Sequence, residues 1–108
     1  MIQFHQNELL LNDRKIQFDY PIREIVEFES LYVIMLQDGF SPDNNIVAYD
    51  KNGNKVWSIE EVIHFSYNES YVVLGKAGDN MAYVISFNGV EFVFNVYTRE
   101  IVEKRITK

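Results

Sequence analysis

Residues 44–59 read NNIVAYDKNGNKVWSI, and this stretch decides the fold. Two runs of strand-forming residues flank Asn52-Gly53, the dipeptide most favoured at the tip of a β-hairpin. A two-residue turn there sets Asp50 against Lys55, Ala48 against Trp57 and Ile46 against Ile59. The other face pairs Tyr49 with Val56 and Val47 with Ser58. Opposite charges then lie beside the wet turn, and Ala48 leaves room for the single Trp. Both faces carry apolar residues, so the pair has neighbours on two sides.

The same reading extends outward along the chain. Glu8–Phe18 forms a short hairpin around Asp13-Arg14, with Leu11 facing Ile16 and Leu9 facing Phe18. Ile22–Phe28 fits both helical and alternating spacing. The strand-like LYVIML at 31–36 favours strand, joined by a tight Glu29-Ser30 turn that sets Val26 against Val33 and Ile25 against Ile34. Residues 81–96 make a second Asn-Gly hairpin on Asn88-Gly89, with Met81, Tyr83, Ile85 and Phe87 facing Val96, Phe94, Phe92 and Val90 on the almost wholly apolar, inward face of a half-buried pair. Ser58 and Glu61 have capping-box spacing for one helical turn. His5 falls in a loose N-terminus, and His64 alternates outward on a strand over 62–67. Thr98-Arg99 turns the chain into a last strand over 101–106, free to return to the N-terminal hairpin or to pair with a second copy.

An internal repeat follows. EIVEF at 24–28 matches EVIHF at 61–65, and LYVIML at 31–36 matches SYVVLG at 70–75. Gly53 and Gly89 stand 36 positions apart. The expected fold is one all-β domain over 1–108, an antiparallel meander of ten or eleven strands. Two blade-like units, 24–59 and 61–96, are flanked by an N-terminal hairpin and a C-terminal strand. The segment IVAYDKNGNKVW resembles the repeat of quinoprotein-type β-propellers through Ala48, Asp50, Gly53 and Trp57. That resemblance implies blade-like meanders. Two units do not close a propeller ring, and no quinone cofactor is implied. The whole chain is also similar to small uncharacterised bacterial β-rich proteins, some proposed to act as toxin-neutralising immunity proteins.

Composition bounds the function. The chain has 108 residues, is 47% hydrophobic and contains no cysteine, which excludes disulfides and thiolate chemistry. The N-terminus has no basic start followed by an apolar run, and no apolar stretch approaches the length of a membrane-spanning helix. A cytoplasmic location is the expectation. Net charge is −6, with eleven acids against four bases between Asp19 and Asp79. Such a field disfavours nucleic acid and favours a basic protein partner.

No nucleophile elbow, phosphate loop or paired carboxylate stands out, so no enzyme activity and no cofactor are expected. Asp50, Asn52, Asn54, Ser58 and Glu61 mimic the ligand spacing of an EF-hand loop. Lys55 stands where that loop needs Gly, and the flanks are strands. Seven Tyr and eight Phe read as core rather than as base-stacking platforms. The turn-rich stretch 37–45 and the acids after the hairpin are the expected partner-binding surface: Asp38, Phe40, Asp43, Asn44, Glu60 and Glu61. The leading expectation is a small protein-binding module, possible partners including a basic toxin. A ligand- or calcium-binding domain and a blade-like structural fragment are the alternatives.

Overall fold

The computed structural model describes residues 2–37, 43–64 and 69–106. Among these residues eleven strands are present: β1 (Ile2–His5), β2 (Glu8–Leu11), β3 (Arg14–Gln17), β4 (Ile22–Glu27), β5 (Leu31–Leu36), β6 (Ile46–Asp50), β7 (Lys55–Ser58), β8 (Tyr71–Lys76), β9 (Met81–Ser86), β10 (Val90–Asn95) and β11 (Ile101–Ile106). One 3-10 turn, Ile59–Glu61, follows β7. The strands form three antiparallel meanders: β1-β2-β3, β4-β5-β6-β7 and β8-β9-β10-β11.

The middle sheet is packed on both faces. Side chains alternate across a strand, so β5 serves two cores at once. Leu31, Val33 and Met35 join Ile46, Ala48 and Trp57 in a core shared with Ala82, Val84, Phe92 and Phe94 of the C-terminal sheet. Tyr32 and Ile34 join Val47 in a second core with Leu9 and Leu11 of the N-terminal sheet. Trp57 anchors the larger core. Its ring meets Phe94 edge-on at 5.5 Å, and its indole N–H donates to the Val96 carbonyl at 2.9 Å.

A buried polar contact binds the middle and C-terminal sheets, and a second ties the C-terminal sheet internally. The Asn45 amide donates to the carbonyls of Leu36 (2.7 Å) and Tyr71 (2.9 Å), and its Oδ1 accepts the Tyr71 N–H at 2.8 Å. Asn45 is only 3% exposed, and these bonds satisfy it fully enough to sit in the core. Glu69, equally enclosed, accepts Asn88 Nδ2 at 2.9 Å and the Ser70 N–H at 3.1 Å.

Both Asn-Gly turns differ from the expected two-residue form. The Gly53 N–H donates to the Asp50 carbonyl and the Asp50 N–H to the Asn54 carbonyl, which gives a three-residue loop with Gly53 at φ +88°. Asp50 Oδ1 accepts the N–H groups of Asn52 and Asn54, both at 2.9 Å, and these bonds stabilise the longer loop. Ala48 still faces Trp57 and Val47 still faces Ser58, as expected. The register then slips, so Tyr49 rather than Asp50 faces Lys55. At the second turn Gly89 (φ +85°) donates to the Ser86 carbonyl. There the extra loop residue shifts the entire pair: Val84 faces Phe92 and Ala82 faces Phe94. A one-residue slip exchanges faces. Ala82, Val84 and Ser86 are therefore buried, whereas Phe87, expected inside, is 71% exposed.

Other expectations fare unevenly. The Glu29-Ser30 turn holds, with Val26 on Val33 and Ile25 on Ile34. The first hairpin turns at Asn12-Asp13, since Asn12 accepts a left-handed φ of +55°, and Leu9 meets Ile16 instead of Phe18. The N-terminus is not loose: His5 ends β1, which pairs with β2. The match of 61–65 to 24–28 does not extend to a strand at 61–64. Glu61 closes the 3-10 turn by accepting the Ser58 N–H at 3.0 Å, and the N–H groups of Val62 and Ile63 return to the Ile59 carbonyl. His64, exposed as expected, follows that turn, and Phe65 lies outside the described residues. The second sheet takes β11 as its fourth strand instead. Asn95 Oδ1 accepts the N–H groups of Tyr97 and Thr98, and Arg99 adopts φ +70°, so the turn is too tight for β11 to leave β10 for the N-terminal hairpin.

Two substitutions check this packing. Asn45→Ala strands the Tyr71 N–H and two carbonyls in the core, and urea denaturation is expected to show a loss of about 3 kcal/mol. Gly75 lies under the Tyr83 ring, which a Cβ would strike. Gly75→Ala is expected to cost about 2 kcal/mol, and most of that loss should vanish in a Tyr83→Ala background.

Candidate functional site: an acidic groove between two sheets

After β3 the chain crosses from the N-terminal to the middle sheet through Phe18, Asp19, Tyr20 and Pro21. Backbone bonds fix this crossing. The Phe18 N–H donates to the Asn7 carbonyl at 2.8 Å, and Asn7 Nδ2 returns to the Phe18 carbonyl at 2.9 Å. The Ile22 N–H donates to the Gln6 carbonyl and the Gln37 N–H to the Pro21 carbonyl. Phe18 is half-buried, edge-on to Tyr49 at 5.8 Å, and so belongs to the wall rather than the opening.

On the other side the chain re-enters the middle sheet at Asp43–Asn45. Asn44 takes a left-handed φ of +54°, and its N–H donates to the Glu69 carbonyl at 2.7 Å. The Leu36 N–H donates to the Asn45 carbonyl. Between these segments lies an open groove of about 280 Å³, lined by Gln17, Phe18, Asp19, Tyr20, Leu36 and Asp43–Asn45. Asp19, Tyr20 and Asp43 are exposed, and among the described residues neither carboxylate has an ion-pair partner. Two carboxylates, a phenol ring and an aliphatic floor suit a cationic side chain with an apolar stem, such as Lys or Arg. A smaller groove of about 210 Å³ over β1 and β2 lacks this character, because its Lys15 and Glu8 face each other at 3.9 Å.

The groove contains two of the expected partner-binding residues, Asp43 and Asn44. Asp38 and Phe40 lie outside the described residues. Glu60 and Glu61 sit on the 3-10 turn after β7 and do not line the groove. Glu61 has structural work there, holding the Ser58 N–H and facing Arg99 Nη1 at 3.8 Å. Asp19 and Tyr20 carry no motif or spacing that marks them in the sequence; Pro21 beside them interrupts the strand pattern.

The calcium-like spacing has a local explanation. Beyond the two N–H groups on Oδ1, Asp50 Oδ2 accepts Asn54 Nδ2 at 3.2 Å. The turn is clamped from the N-terminal sheet, where Arg14 Nη1 donates to Asn54 Oδ1 at 3.0 Å and Asn12 Nδ2 to the Lys51 carbonyl at 3.2 Å. A cation at Asp50 would have to displace these donors. Among the described residues no group of three His, Asp or Glu side chains converges to hold a metal ion.

Comparison with known proteins decides the family. The model of a domain of unknown function, DUF7957, matches residues 1–106. The chain belongs to that family. No curated protein and no solved structure matches it. The DUF7957 match spans all three sheets, so the meander and its groove both lie inside the family unit. Among the described residues no helix is long and apolar enough to cross a membrane.

The turn also carries a pH signature. The Asn54 N–H, above all, holds the Asp50 carboxyl below its ordinary value of 3.8. A depressed carboxyl contributes stability that is complete above that ordinary value and is lost as pH falls through the folded-state value. Denaturation midpoints of the native chain are therefore expected to fall in that acid window. Asp50→Asn, which carries no titrating group, should show a shallower fall. Parallel curves for the two proteins would rule out this role for the carboxylate.

Proposed function

We propose that the chain is a small protein-binding module whose acidic groove takes a basic side chain, or a short basic segment, of a partner protein. The observation that carries this reading is the convergence of Asp19 and Asp43, neither ion-paired among the described residues, around Tyr20 and Leu36. The net charge of −6 supports it, since a general negative field accelerates encounter with a cationic surface. Neutralisation of a basic toxin, in the manner of immunity proteins, is one form this activity would take. The cytoplasm is the compartment consistent with a cysteine-free chain. Calcium binding at Asp50 is disfavoured by the hydrogen bonds already made there.

The test compares the native chain with Asp19→Asn/Asp43→Asn, each immobilised and exposed to lysate of its source cells. A basic protein is expected on the native chain at low salt, at least tenfold depleted on the double variant and released as ionic strength rises. Equal capture on both proteins would place binding elsewhere. No basic protein at low salt, where attraction is least screened, would sink the reading. Both substitutions lie at exposed positions, so unchanged urea midpoints should accompany the loss.

A further inference from the structure

The free sheet edges of this fold are not alike. β8 is blunted by Asn45, whose side chain engages both the N–H and the C=O of Tyr71. On β7 the Val56 carbonyl accepts Arg99 Nη2 at 2.9 Å. On β4 the Glu27 carbonyl accepts Lys76 Nζ at 3.2 Å. Beside β3, Asn7 takes the Phe18 carbonyl, and β1 is only four residues long. β11 is different. It closes the C-terminal sheet with six residues, every one exposed, and among the described contacts no side chain is bonded to its backbone; a bulge inserts Val102 between the residues that face Val93 and Phe94, and 103–106 run in regular register. Ile101 is 39%, Val102 51% and Ile106 69% exposed. An uncovered strand with aliphatic side chains is a template for another strand.

We propose that this edge pairs with itself: two copies of the chain join β11 strands antiparallel about a two-fold axis at Lys104. Symmetry and sequence together select that register. The axis relating two neighbouring antiparallel strands is perpendicular to the sheet, so it preserves each face. Opposed residues must then have numbers of the same parity. Centred on Lys104, the regular part of the strand pairs Glu103 with Arg105, formed twice, and the bulge at Val102 ends the regular ladder beyond it. Opposite charges are thus matched on both sides of the axis. Centring on Glu103 sets Glu against Glu beside the bulge at Val102. Centring on Arg105 sets Arg against Arg and Ile106 against Lys104.

The Lys104 register leaves one like-charge contact, between the two Lys104 residues. Within each chain that ammonium is drawn back over the Phe92 ring, 5.7 Å from its centroid. Arg105 already lies 3.0 Å from Glu91, which orients it on the outer face beside its new partner. The occupant is a second copy because the match is palindromic; an unrelated strand has no reason to share it. The product is one continuous eight-stranded sheet. A single strand pair buries less than the roughly 1,200–2,000 Å² of a standard interface, so the dimer is concentration-dependent. This inference stands apart from the groove, which lies between the other two sheets.

The chain has no cysteine, so an introduced one reports cleanly. Directly opposed Cα atoms in an antiparallel pair lie roughly 4.5–5.5 Å apart, within disulfide reach. Lys104→Cys therefore faces its own symmetry mate. Ile106→Cys is offset from its mate by four residues, roughly 13 Å. Sedimentation of the native chain is expected to move from 12.8 kDa to twice that mass as concentration rises. Under mild oxidation, Lys104→Cys should give at least tenfold more disulfide-linked dimer than Ile106→Cys. A chain that stays monomeric at every concentration would overturn the proposal. So would a dimer in which the two variants cross-link equally, since the contact would then lie elsewhere or in another register.

Discussion

The double burial of the middle sheet is the constraint on which the rest of the molecule depends. β5 has no solvent face: Val33 and Ile34, adjacent in sequence, are both fully buried and belong to different cores. A strand so placed reads as a continuous apolar run, which is what LYVIML is. Removing either outer sheet would expose half of that run. The three meanders therefore support one another, although among the described residues their strands exchange no ladder bonds between sheets. Polar staples at the joints, Asn45 on one side and the Arg14–Asn54 contact on the other, fix how the layers meet.

Turn geometry sets the faces. Each Asn-Gly dipeptide was legible as a turn, because Gly readily adopts positive φ. Loop length was not legible, because it depends on bonds such as those from Asn52 and Asn54 to Asp50. In the first hairpin a slip beyond Ala48 absorbed the extra residue and left Trp57 where it was expected. In the second nothing absorbed it, and β9 turned over. Ser86 went inward, where its Oγ accepts the Val90 N–H, while Phe87 went out. The face with more apolar side chains lost to the face that fits, because Ala82 and Val84 leave space for Phe92 and Phe94.

The acidic groove is a product of layering. Its walls come from segments separated by more than twenty positions, brought together where the chain passes from one sheet to the next. Asp43 and Asn44 were visible as turn formers in a polar stretch. Asp19 and Tyr20 gave no signal beyond a strand interruption at Pro21. Glu60 and Glu61 looked like surface acids, and Glu61 is instead committed to the turn that ends β7.

By itself the sequence determined the all-β class, the antiparallel meander and most strand positions. These follow from local alternation and turn chemistry, which act over a few residues. The tertiary structure alone decided which face of β9 is buried, why Asn45 lies in the core, that β11 completes the C-terminal sheet, and where carboxylates gather. Each of those outcomes turns on contacts between residues far apart in the chain. Single hydrogen bonds and one-residue shifts settle them, and no periodicity in the sequence encodes such choices.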